Sequence, residues 1–153
     1  MDTMIDTRTL RLVRVFDAPR ERVFAAWTDP EQFVQWMCPP GVGLDECTLD
    51  VRAGGTWRAK GYTPDRRFAK GGVYLEVRRP ELLVFTWAHH VDETYASPRG
   101  HETTVWVEFR AIGNKTELTL DQGPFVDTPS FNGHDTGWKG SFDKLEGFLG
   151  KSA

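Results

Sequence analysis

Arg14-Val15-Phe16-Asp17-Ala18-Pro19, then Val23-Phe24-Ala25-Ala26-Trp27-Thr28-Asp29-Pro30 and on to Trp36, then Asp50-Val51-Arg52-Ala53-Gly54-Gly55-Thr56-Trp57: these runs decide the fold. Pro19 and Pro30 each stand where a helix begins, because proline in the first turn gives up no hydrogen bond and arrives with φ already set. Asp29 is placed to cap the second helix, and Asp17 stands similarly ahead of the first. Val23 and Trp27 are four apart and Phe33 and Trp36 three apart, so each pair shares a helix face. Gly54-Gly55 between two strand-forming runs reads as a hairpin turn. Strand, helix, helix, hairpin, with tryptophans at the junctions, points to a sheet gripping something.

Outward from this stretch, Thr9 to Phe16 reads as a first strand, and the helices run from Arg20 to Thr28 and from Glu31 to Trp36. Cys38-Pro39-Pro40-Gly41 is a loop. Leu44 to Val51 sets Cys47, Leu49 and Val51 on one side, and Thr56 to Tyr62 sets Trp57 opposite Arg58 and Lys60. Gly71-Gly72 announces a strand in which Val73, Leu75 and Val77 alternate with Tyr74, Glu76 and Arg78. Leu83, Phe85, Trp87 and His89 share a face of the next strand, and a polar loop follows over residues 91–100. Val105, Val107 and Phe109 alternate in another strand. Gly113-Asn114 turns the chain, and Leu118 and Leu120 point inward on the last strand. Short turns throughout argue for an antiparallel meander. Thr128-Pro129 then opens a long helix whose apolar positions are Trp138, Phe142, Leu145 and Leu149. Gly133, Gly137, Gly140 and Gly147 each cost that helix about 1 kcal/mol against alanine. It therefore forms by packing, and its small residues leave room for a closely crossing element or a ligand.

At 153 residues the chain reads as one domain, residues 1–153 with a core of about 8–150. A net charge of -3 gives no reason to expect nucleic acid or an anionic membrane as partner. No apolar run approaches the roughly 18 residues of a membrane span. The acidic amino terminus lacks the apolar core of a signal peptide, so the expected location is cytoplasmic. Cys38 and Cys47 have no zinc-ligand or Cys-x-x-Cys spacing, and buried reduced thiols are expected. Six tryptophans with ten phenylalanines make an aromatic interior, of the kind that fills a core or walls a pocket.

In this order and spacing, the Asp17-Ala18-Pro19 entry, the Val23–Pro30 helix, Trp36, the Asp50–Trp57 run, Leu82-Leu83-Val84-Phe85-Thr86-Trp87 and Gly137-Trp138 with Leu145 resemble the START-like, or helix-grip (SRPBCC), superfamily. Within it the chain is similar to bacterial single-domain members of the family homologous to the activator of heat-shock-protein-90 ATPase. The resemblance implies an α+β helix-grip fold: a curved antiparallel sheet of about seven strands around a long C-terminal helix, with two short helices after strand 1. It also implies a mostly apolar cavity between sheet and helix. Relatives include lipid and hormone carriers, polyketide cyclases and chaperone regulators, so the fold does not fix an activity. The separate domain that precedes this one in the eukaryotic chaperone activator has no room here, and stimulation of a chaperone ATPase is not expected.

The expected function is binding of a small hydrophobic or aromatic ligand, lined by Trp36, Trp57, Phe85, Trp87, Val105, Val107, Trp138 and Phe142, with no cofactor or metal. One alternative is a cyclase- or hydratase-type enzyme using His89 or His101 with Tyr74 as acid–base groups. Another is a homodimeric interaction or stress-response module without ligand. His134-Asp135 reads as a solvated helix end, Asp50 and Arg52 as a cross-strand ion pair, and Arg66 and Arg67 as solvated. Nothing near Cys38 in sequence requires a reactive thiol. Gly54-Gly55 and Gly71-Gly72 lack the strand-to-helix setting of a phosphate loop.

Overall fold

The computed structural model describes residues 9–90 and 100–150; the polar loop expected over 91–100 lies, apart from Gly100, outside the described residues. Strand β1 (Leu10–Phe16) leads into α1 (Arg20–Thr28) and α2 (Pro30–Trp36). Six strands follow: β2 (Gly43–Leu49), β3 (Thr56–Tyr62), β4 (Arg67–Arg78), β5 (Leu82–His89), β6 (Thr103–Ile112) and β7 (Lys115–Gly123). Helix α3 (Thr128–Gly150) ends the described chain. All strand pairs are antiparallel, in the spatial order β1-β7-β6-β5-β4-β3-β2, so β1 closes back onto β7 and the short helices bridge to the opposite edge. This is the helix-grip arrangement.

Asp29 is the joint between the two short helices. Its N–H closes α1 on the Ala25 carbonyl, while its carboxylate accepts from the Glu31 N–H at 3.0 Å and so caps α2. Asp17 does not play the matching part: Pro19 occupies the N-cap of α1, and no side chain caps it. At α3 the capping carboxylate is Asp127, which accepts from the Ser130 N–H at 2.8 Å, so the cap lies one residue ahead of Thr128.

The core is a closed circuit of six aromatic rings drawn from five elements. Trp27 stacks on Trp138 with 5.7 Å between centroids, Trp138 meets Trp87 at 5.4 Å, and Trp87 meets Trp57 at 5.4 Å. Phe33 and Trp36 complete the circuit, Trp57 to Phe33 at 6.5 Å, Phe33 to Trp36 at 5.4 Å and Trp36 back to Trp27 at 4.7 Å. Tilted and edge-on aromatic pairs of this kind add to the stabilisation from burial alone. Four of the five indole N–H groups are paired, whereas Trp27 Nε1 is buried without a partner.

The phase of β4 differs from the sequence expectation. The strand begins at Arg67, Tyr74 is buried, and Val73 and Leu75 are exposed. The cause is Gly71-Gly72, which lies inside the strand rather than at its start. Trp57 sits directly opposite Gly72, and its indole crosses that bare position to donate to the Thr86 carbonyl on β5 at 2.8 Å. A Cβ at Gly72 would collide with that same carbonyl. A register shift between Tyr74 and Glu76 then resets the alternation. A second shift lies between Leu44 and Glu46; beyond it Cys47, Leu49 and Val51 share the core side as expected, although β2 stops at Leu49. Asp50 and Arg52 do pair, at 3.0 Å, but within the turn and not across strands.

Candidate functional site

Where the N-terminal half of α3 passes over β4 and β5, a half-open cavity of about 350 Å³ remains. Four stretches wall it: the loop after α2 from Met37 to Val42, Thr63 and Arg66 between β3 and β4, the β4–β5 surface with Phe68, Lys70, Trp87 and His89, and α3 from Ser130 to Ser141. The glycines of α3 divide the labour foreseen for them. Gly140 lets the loop cross closely, since a Cβ there would lie 3.0 Å from Pro39 Cβ and 3.1 Å from Pro40 Cδ. Gly133 and Gly137 line the cavity, and a Cβ on either meets nothing within 4 Å.

Of the residues expected at a site, the structure brings Trp87, Trp138 and His89 to this cavity. Trp36, Trp57, Phe85, Val105, Val107 and Phe142 are buried in the core and do not line it. Tyr74 packs against Phe85, and burial raises its phenol above the ordinary range. His101 lies exposed, with Nε2 2.6 Å from the Pro124 carbonyl. Neither borders the cavity, and the partner of His89 is His134, whose ring centroid is 5.7 Å away. His134 is thus no solvated helix end. It is half-buried against Phe125 and Trp87 and lines the cavity.

The partners of both rings fix their tautomers. An indole N–H can only donate, so the Trp87 contact at 3.3 Å makes His89 Nε2 the acceptor. A carbonyl can only accept, so His134 Nδ1, 2.9 Å from the Ser130 oxygen, carries the proton. Burial, and then the positive charge of Lys70, hold His89 below the usual imidazole range. Burial does the same for His134, against the Ser130 hydrogen bond and helped by Lys70. The outer edge of His89 meets solvent at the rim, whereas His134 is half-buried. Among the described residues no third His, Cys, Asp or Glu joins them in a metal-ligating cluster.

Two further groups stand here: Cys38, expected as a buried thiol, and Lys70, which sequence reasoning passed over. Cys38 is buried, has a positive φ of 125°, and donates its N–H to Ser141 Oγ at 3.0 Å. Lys70 is only 4% exposed. Its Nζ lies 4.4 Å from the Trp87 ring centroid and 3.7 Å from Cys38 Sγ. Position 70 stands in an inward-facing register with Phe68 and opposite His89, but a lysine in that pattern reads as solvated until the strand's phase is known. Arg66 also reaches the cavity mouth, while Arg67 is tied to Asp45 by two hydrogen bonds of 2.9 and 3.0 Å. Cys47 is half-buried, and burial pushes its thiol up to about 12.

Comparison with known proteins bears on what this cavity is for. The family described as Activator of Hsp90 ATPase homolog 1-like protein matches residues 17–150. Among solved structures, the AHSA1 protein of Silicibacter pomeroyi is similar at 28% identity and a TM-score of 0.83, over 95% of this chain and 99% of that one. An uncharacterised protein of Rhizobium leguminosarum is similar at 29% identity and a TM-score of 0.76, over 94% and 95% of the two chains. A Chromobacterium violaceum protein is similar at 25% identity and a TM-score of 0.81, over 93% and 96%. The search of curated proteins found no match.

Proposed function

The chain belongs to the Activator of Hsp90 ATPase homolog 1-like family, and on that premise we propose that it binds a small, mainly aromatic molecule in the cavity between β4, β5 and α3. The observation that carries this reading is the cavity itself. Its volume of about 350 Å³ lies within the roughly 300–1,000 Å³ of small-molecule sites. Trp87 and Trp138 form its inner wall, and both are clamped by the aromatic circuit behind them. A preorganised wall loses little freedom when a ligand arrives, which favours affinity. Bare helix at Gly133 and Gly137 keeps the opposite side clear.

The acid–base alternative has less support, because it needs Tyr74 or His101 beside His89 and both lie outside the cavity. Calorimetric titration with naphthylmethanol, a neutral bicyclic probe, tests the binding reading. Saturable one-to-one binding that is lost in Gly137→Leu is the expected result. A folded protein that takes up neither this probe nor its carboxylate counterpart would overturn it.

A further inference from the structure

The polar end of the cavity has a definite sign. Among the described residues sixteen line it, and none of these is an aspartate or glutamate, although the chain as a whole carries more acidic than basic residues. Its charged members are Lys70 at the inner wall and Arg66 at the mouth. Lys70 is the unusual one. Lysines are almost never this buried unless paired, yet among the described residues no carboxylate stands within ion-pair distance of its ammonium. What it does touch is the face of Trp87, the ring of Phe68 at 5.7 Å and the Cys38 sulfur, which is a weak acceptor. A buried ammonium with three donors and so little to receive them is stabilised by an anion placed against it.

Resting on the binding function proposed above, we infer that the ligand is an aromatic carboxylate, its carboxylate on Lys70 Nζ and its ring system between Trp87, Trp138 and Gly137. Three features agree with a single negative charge at that end. One buried amine supplies one compensating charge. His89 Nε2 accepts from the Trp87 N–H and so carries no proton, and burial disfavours the charged form of His134, so the histidines favour no second negative charge. Apart from Thr63, Ser130 and Ser141, the remaining walls are apolar or glycine, which suits a flat hydrocarbon body and disfavours a polyanion.

The test is a matched pair titrated by calorimetry: naphthoate against naphthylmethanol, on the wild-type protein and on Lys70→Met. The wild type should bind naphthoate at least about tenfold more tightly, the gain of one charge-assisted hydrogen bond, and Lys70→Met should abolish that preference while still binding the alcohol. Equal affinities, or a preference for the alcohol, would overturn the carboxylate inference and leave the binding reading standing. A preference that survives in Lys70→Met would overturn the assignment to Lys70. Failure of both probes would overturn both proposals. If Lys70→Met does not fold, Lys70→Gln replaces it, and the wild-type comparison decides the ligand's charge without any variant.

Discussion

Gly137→Leu separates the stability of α3 from the use of the cavity. Gly137 is helical, and a Cβ there meets nothing within 4 Å, so the new side chain enters space that is already empty. Relieving a helix-interior glycine recovers about 0.8–1.0 kcal/mol, and leucine keeps most of what alanine would give. For a chain of this length 1 kcal/mol moves the melting temperature by about 2–4 °C. The same leucine projects into a cavity of about 350 Å³ and should weaken probe binding by about tenfold or more, since displacing one good contact layer costs at least the equivalent of 1.4 kcal/mol. Gly147→Leu is the control: position 147 is equally open but does not line the cavity. Thermal denaturation followed by circular dichroism should show both variants melting higher, and calorimetry should show only Gly137→Leu losing the probe. Unchanged binding in Gly137→Leu would place the ligand elsewhere. A lower melting temperature would show that the helix face is not open at this position.

Gly140→Val should lose about 1–3 kcal/mol in urea denaturation, the usual cost of overpacking, because its side chain meets Pro39 and Pro40. Trp138→Phe should be more destabilising than Trp27→Phe by about 1–3 kcal/mol. The first strands the buried carbonyl oxygen of Gln122, which accepts from Trp138 Nε1 at 2.7 Å, whereas the second removes an N–H that has no partner. Acid should destabilise the fold through the two cavity histidines. Both have folded-state pKa values below the unfolded one, so the unfolded chain takes up protons first. Their contribution is therefore complete above about pH 6.5 and is lost progressively below it. The fall in melting temperature between about pH 7 and pH 5 should be smaller in His134→Gln than in the wild type.

Local signals carried the fold. The prolines at 19 and 30, the Asp29 joint, the Gly113-Asn114 turn and the 138/142/145/149 spacing each act within a few residues, and each lies where the sequence puts an element. The site was less legible because it depends on which residues meet across strands. Nothing near Gly72 in the sequence announces that an indole fifteen positions earlier will cross it. The phase of β4 therefore read backwards, and Lys70, on the inward side of that strand, went unnoticed. The four tryptophans expected to line a cavity, Trp36, Trp57, Trp87 and Trp138, do converge, but the same convergence fills most of the space between them. Only the two at the end of the circuit nearest α3's glycines border a void. Trp27 was noted for its helix face alone, although it stacks at the centre of the circuit.

That circuit has an optical consequence. Five of the chain's six indoles lie in it, each within 6 Å of the next tryptophan along the path from Trp36 to Trp57. At such separations an excitation absorbed by one ring passes to its neighbours faster than it is emitted. Trp106 stands apart on the outer face of β6, 40% exposed. The emission of the folded protein thus divides into one solvent-facing indole and one shared pool. A molecule resting on Trp87 or Trp138 dims the whole pool at once and leaves the sixth as an internal standard, so the protein reports occupancy of its own cavity without a label.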